Sequence, residues 1–120
     1  MQTFLIGVEV GTSAVKSVLH DLTGAELFST RCACPLLTPR PGWVEQDAEE
    51  LWLALLTVLQ ETAAAARAQG RVAALALATQ AGSVAPVTAD GIPTAPFITW
   101  LDTRATSLVS EWTQTGVADR

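Results

Sequence analysis

Apolar and polar positions fall in blocks along this chain, and each block predicts an element. Residues 4–10 (FLIGVEV) form a mostly apolar run, as expected of a buried strand. Gly11-Thr12-Ser13 supplies a turn. Residues 14–20 then resume as a second strand, with Ala14, Lys16, Val18 and His20 on one face and Val15, Ser17 and Leu19 on the other. Asp21-Leu22-Thr23-Gly24 reads as a further turn, followed by a third strand over residues 25–34. Three consecutive strands with tight turns predict an antiparallel meander. Residues 35–46 hold Pro35, Pro39, Pro41 and Gly42 and read as a loop. Asp47 is placed to cap the next helix, with Glu50 as its reciprocal partner. Leu51, Leu55, Leu59, Thr62 and Ala66 lie near helical spacing and predict a core-directed face, and Gly70 ends the helix. The continuous apolar run at residues 72–78 (VAALALA) predicts a strand buried on both faces. Beyond it, residues 84–87 read as a short strand and Asp90-Gly91 as a turn. Residues 98–100 read as an extension of the sheet, and Asp102 or Thr103 as the start of a last helix through Trp112.

Three antiparallel strands, a crossover helix and a strand returning beside the first make an α/β mixed sheet in the ribonuclease-H-like order. Composition supports a packed domain: 49% of the 120 residues are hydrophobic and 16% charged. The net charge of −5 argues against nucleic acid as a partner, since Lys16 is the only lysine and the six arginines are scattered. Cys32 and Cys34 form a C-x-C pair that reads as two small buried hydrophobes; with His20 as the sole histidine, a metal site would lack ligands. The amino terminus lacks a signal-peptide pattern, and no apolar run approaches the ~20 residues of a membrane span. A soluble, cytoplasmic protein without a membrane partner is the expectation.

Four short segments carry candidate chemistry. In the first, Gly7 to Ser13 with Lys16, a glycine-containing turn exposes backbone N–H groups and lets a phosphate approach. Thr12 and Ser13 add hydroxyls, Lys16 a positive charge, and Glu9 a carboxylate suited to hydrated Mg²⁺. A plain hairpin with a solvated lysine fits the same residues. The second, residues 41–52, is a turn followed by a capped helix start, in which Trp43 and Trp52 read as packing residues. The third, Thr79-Gln80-Ala81-Gly82, follows the last long strand, where ligands of α/β folds usually bind. Gln80 can donate to and accept from a sugar hydroxyl, or serve as a surface amide. The fourth is Trp100-Leu101-Asp102-Thr103-Arg104. There Asp102 and Arg104 suit hydrogen bonds to a polyhydroxy ligand beside a stacking Trp100, or a helix cap plus a surface ion pair.

In this order, the stretches GVEVGTS, PRPGWVEQDAEELW, ALATQAG, TADGIPTAP and ITWLDTRA resemble the FGGY carbohydrate kinases, members of the actin/hexokinase/heat-shock-ATPase fold group. The resemblance runs over nearly all of the chain. It implies a two-lobed enzyme that moves the γ-phosphoryl group of ATP to a hydroxyl of a sugar, sugar acid or polyol. By position, Gly11, Thr12, Ser13 and Lys16 would contact the ATP phosphates. Glu9 would stand where the family has an Mg²⁺-linked Asp and would reach the metal through water. Gln80, Ala81, Gly82, Trp100, Asp102 and Arg104 would line or support the substrate pocket. The chain departs from the family at Glu9, one methylene longer than Asp. It departs again at Ala81-Gly82, where glycerol kinases carry Arg-Glu and xylulokinases Met-His. The catalytic base and the second lobe, with its adenosine pocket, lie further along in the family. Residues 1–120 are therefore expected to be part of an amino-terminal kinase domain, inactive alone. Other members of the fold group, a truncated oligomerising module such as a homodimer, and a ribonuclease-H nuclease are the rival readings. The nuclease would need clustered carboxylates for two metals.

Overall fold

The computed structural model describes residues 1–117. Strands β1 (Gln2–Val10), β2 (Ala14–Asp21) and β3 (Glu26–Ala33) form the expected meander. A short strand β4 (Glu45–Gln46) follows, then helix α1 (Ala48–Arg67), strand β5 (Gly70–Thr79), strand β6 (Phe97–Ile98) and helix α2 (Thr106–Gln114). The main sheet runs β3-β2-β1-β5, with β1 antiparallel to β2 and parallel to β5. The ribonuclease-H-like order predicted from the sequence is thus the order observed.

One face of the meander builds the core. Phe4, Ile6 and Val8 of β1 and Val15, Ser17 and Leu19 of β2 are buried there against α1. The deepest helix positions are Ala54, Val58, Thr62 and Ala66, four residues apart, while Leu51, Leu55 and Leu59 flank them half-buried. The leucine-centred face expected from periodicity is therefore rotated. Small side chains at 54, 58 and 66 let the helix lie close to the sheet, where Thr62 Oγ1 meets Ser17 Oγ at 2.8 Å. Cys34 is buried and Cys32 half-buried on this side, both free, and burial pushes the Cys34 thiol up.

Several expectations are corrected. Asp47 does cap α1, its Oδ1 accepting from the Glu49 and Glu50 N–H groups at 2.9 Å, but no side-chain bond from Glu50 returns to it among the described residues. The helix ends at Arg67, and Gly70 opens β5 instead of closing α1. There the backbone must approach closely: a Cβ on Gly70 would lie 2.1 Å from the Gln2 carbonyl oxygen. β5 is not buried on both faces. It is the sheet edge and is exposed from Arg71 to Thr79, because α1 leans across β2 and β3 and leaves it uncovered. Residues 84–87 form no strand; Val84 and Val87 make isolated bridges to Ile98 and Pro93. Ile98 pairs with Glu45 in a separate two-stranded sheet, so it does not extend the main one, and the supposed loop 35–46 contains that partner strand. The last helix starts at Thr106, since Asp102 is engaged elsewhere. Trp52 is 56% exposed, on the rim of an open apolar groove between α1 and residues 87–97.

Candidate functional site

The β1–β2 turn shows why its residues make a candidate anion seat. Its carbonyl groups are all engaged by the protein. The Gln80 and Gln46 side-chain amides donate to Gly11 O at 3.1 and 3.5 Å, Gln46 Nε2 donates to Thr12 O at 2.9 Å, and Cys34 N donates to Ser13 O at 2.9 Å. Among the described residues the N–H groups of Thr12 and Ser13 have no acceptor. Successive N–H groups left without a protein acceptor in a turn can form a concavity for anions. Gly11 is required at the turn, because a Cβ there would sit 2.9 Å from Ala14 O, the acceptor of its own N–H bond.

The loops after β5 and β6 reach the same place. Thr12 Oγ1 accepts from the Trp100 indole Nε1 at 3.0 Å and faces Gln80 Oε1 at 3.4 Å. Ser83 Oγ donates to Gln80 Oε1 at 2.8 Å and accepts from the Trp100 backbone N–H at 3.2 Å. Gly82, at φ +75°, passes beside the Trp100 Cβ, and Ala81 is exposed next to it. Three turns far apart in sequence thus converge at the carboxyl ends of β1 and β5. Gln46 and Ser83, which the sequence did not single out, hold them together. Gln46 is fully buried, and a glutamine carries no sequence signal that separates this role from a surface one.

Asp102 and Arg104 turn to each other rather than to open space. Asp102 accepts from the Val44 backbone at 2.7 Å, from Arg104 Nε at 2.8 Å and from Arg104 Nη2 at 2.7 Å. Arg104 also pairs with Glu45 at 2.8 Å and stacks on Trp43, 3.7 Å from the ring centroid. The hydrogen bonds from Arg104 hold the Asp102 carboxyl well below the ordinary carboxylate range and raise the guanidinium in turn. Thr99 and Thr103 donate to Val44 O and Gly42 O, completing the seam. These two charged residues support the Trp100 loop.

Glu9 and Lys16 face each other across β1 and β2 on the side of the sheet away from α1, and both line an open depression of about 320 Å³ with Gly7 and Ala76. Every ion pair among the described residues involves Arg104, so Glu9 has no cation partner there. The described residues contain no cluster of three metal-ligating side chains. A single free carboxylate near a phosphate seat fits Mg²⁺, which is usually held by one or two carboxylates, waters and substrate phosphates.

Residues 4–120 match the N-terminal domain of the FGGY family of carbohydrate kinases. The chain belongs to that family. It is 37% identical over 111 residues to glycerol kinase 5 of Gallus gallus, covering 91% of this chain and 22% of that protein. Gluconate kinase from Lactobacillus acidophilus superposes with a TM-score of 0.91 at 28% identity, over 99% of this chain and 24% of the other. The ligand-bound xylulose kinase of the same organism gives 0.90 at 28% identity, over 98% and 24%. This FGGY segment therefore spans about a quarter of the length of its relatives. Among the described residues no helix is long and apolar enough to cross a membrane.

Proposed function

We propose that the protein to which this segment contributes transfers the γ-phosphoryl group of ATP to a hydroxyl of a sugar, sugar acid or polyol. The observation that carries this reading is the juxtaposition of the Thr12 and Ser13 N–H groups, which have no acceptor among the described residues, with Gln80 and Trp100, joined through Thr12. The Thr12 and Ser13 N–H groups and hydroxyls and the Lys16 ammonium would bind the phosphates. Glu9 would hold Mg²⁺ through water; the ion, when bound, neutralises charge on the phosphates. Trp100 offers a ring face to the carbon skeleton of a polyol, with Gln80 beside it as donor and acceptor. Ala81 and Gly82 put little side-chain bulk there, so neither selects the acceptor by side-chain contact. Asp102 and Arg104 act on the pocket by fixing the Trp100 loop. Such a reaction belongs where ATP is abundant, in the cytoplasm.

Phosphoryl transfer demands nucleotide, metal, base and hydroxyl held together. The base is expected outside residues 1–120, as the resemblance implies, so residues 1–120 alone should bind magnesium tripolyphosphate without turnover. Calorimetric titration with magnesium tripolyphosphate, alongside an ADP-release assay with a polyol panel, tests this. Failure of the chain to bind tripolyphosphate would sink the phosphate seat, and turnover would sink the division of labour. A second reading, self-association into a homodimer without catalysis, is favoured by one observation: the bare, unpaired edge of β5. Mass measurement by light scattering separates the two.

A further inference from the structure

Gln46 is the one fully buried side-chain amide in this site among the described residues; its amide bonds run to the two turns, and the Cys34 thiol lies within hydrogen-bonding reach of it. Its Nε2 donates to Thr12 O at 2.9 Å and leans on Gly11 O at 3.5 Å, while its Oε1 accepts from Gln80 Nε2 at 2.8 Å. It sits on β4, which pairs with β6, and its side-chain bonds bridge the β1–β2 turn and Gln80. A peptide carbonyl in a three-residue turn has two ways to point. Inward, its neighbouring N–H groups face solvent as an anion concavity; outward, an oxygen occupies that concavity and repels phosphate.

We propose that Gln46 is a positioning residue, which fixes the Gly11–Ser13 turn with its carbonyls inward and sets Gln80 in register with it. It touches neither ligand; it acts through Gly11, Thr12 and Gln80. The role for ligand binding rests on reading this turn as the phosphate seat. The chemistry is specific to an amide. Methionine would fill similar space with no donor and only a weak acceptor, and glutamate would present an oxygen to the Thr12 carbonyl in place of a donor.

The test uses nuclear magnetic resonance on the 120-residue chain, first free and then titrated with magnesium tripolyphosphate. In the parent chain, the Gln46 side-chain amide protons exchange with water far more slowly than those of exposed Gln60. In Gln46→Met, the carbonyl resonances of Gly11 and Thr12 and the Trp100 indole resonance move before any ligand is added. Tripolyphosphate affinity falls by about tenfold or more, the scale set by losing one charge-assisted bond. A side chain that only packs would leave those resonances in place and lower the melting temperature alone. Fast exchange of the Gln46 amide in the parent chain overturns the proposal, and this measurement needs no folded variant. Unmoved turn resonances in Gln46→Met with unchanged affinity overturn it as well. A parent chain with a protected Gln46 amide that fails to bind tripolyphosphate supports Gln46 as the holder of the turn and overturns the phosphate seat, so the two failures are distinct.

Discussion

Thr12→Val separates a hydrogen-bonding role from a packing role at the meeting point of the three turns. Valine matches threonine in shape and replaces the hydroxyl by a methyl group. Two contacts are lost: the 3.0 Å bond from the Trp100 indole and the 3.4 Å approach to Gln80 Oε1. Their losses to stability are modest for physical reasons. Trp100 is 57% exposed, so its indole N–H returns to water, and Gln80 Oε1 keeps its 2.8 Å bond from Ser83. A net hydrogen bond is worth about 1 kcal/mol, and the long contact adds less. Melting therefore drops by roughly 5 °C at most for a domain of this size. Ligand binding responds differently. If the hydroxyl donates to a phosphate oxygen, the lost bond is to a charged acceptor and costs about 1.5–3 kcal/mol, or roughly 10- to 100-fold in affinity. Calorimetric titration with magnesium tripolyphosphate and a thermal melt on the same samples measure both. Thr12→Ser, which keeps the hydroxyl, restores binding. A valine variant that binds tripolyphosphate as tightly as the parent would refute the role given to Thr12.

Three further outcomes are expected. Thr62→Val leaves buried Ser17 Oγ without its partner and destabilises by about 1–3 kcal/mol, whereas Ser17→Ala leaves Thr62 bonded to Val58 O and costs less; urea denaturation reads both. Asp102 has a lowered pKa, so its share of stability is complete above the ordinary carboxylate value of 3.8 and is lost as the pH falls through the folded value. Melting temperatures between pH 6 and pH 2, in parent and Asp102→Asn, should show a shallower acid decline in the variant; Asp21, shifted the same way by Thr23 and Ala25, retains part of it. Gly70→Ala, whose Cβ would meet the Gln2 backbone at 2.1 Å, should destabilise by at least about 3 kcal/mol, while a Cβ at Gly7 meets nothing within 4 Å and Gly7→Ala should be tolerated in thermal melts.

How much was legible in the sequence depended on the range of the interactions. The meander and the Asp47 cap follow from short-range patterning, turn residues and strand alternation, and emerged nearly residue for residue. The apolar run 72–78 predicts β5 where it is found, but not its exposure. An apolar run of alanines and leucines reads the same whether or not a neighbour covers it, and here α1 lies over β2 and β3. The β4–β6 pair was missed because two-residue strands carry no period; they exist only through long-range bonds such as Thr99 N–H to Val44 O at 3.0 Å. At the site, the sequence marked Thr12, Gln80 and Trp100, which the structure brings together, but not their connector. Asp and Arg in W-x-D-x-R suit a sugar as well as they suit each other, and only coordinates show Arg104 clamped between Trp43, Glu45 and Asp102.

The seam between residues 42–46 and 99–104 also dictates the order in which the molecule comes into being. Its bonds span 58 and 59 positions of sequence, as in Val44 to Asp102 and Glu45 to Arg104, whereas each hairpin of the meander closes over a short loop. Such bonds close only after the intervening chain has given up its freedom, as the β1–β5 pairing across 68 positions from Gln2 to Gly70 also requires. During synthesis, a nascent chain that has emerged only as far as β5 holds every strand of the main sheet while Trp100, Asp102 and Arg104 are still missing, so this corner is completed after the sheet that carries it.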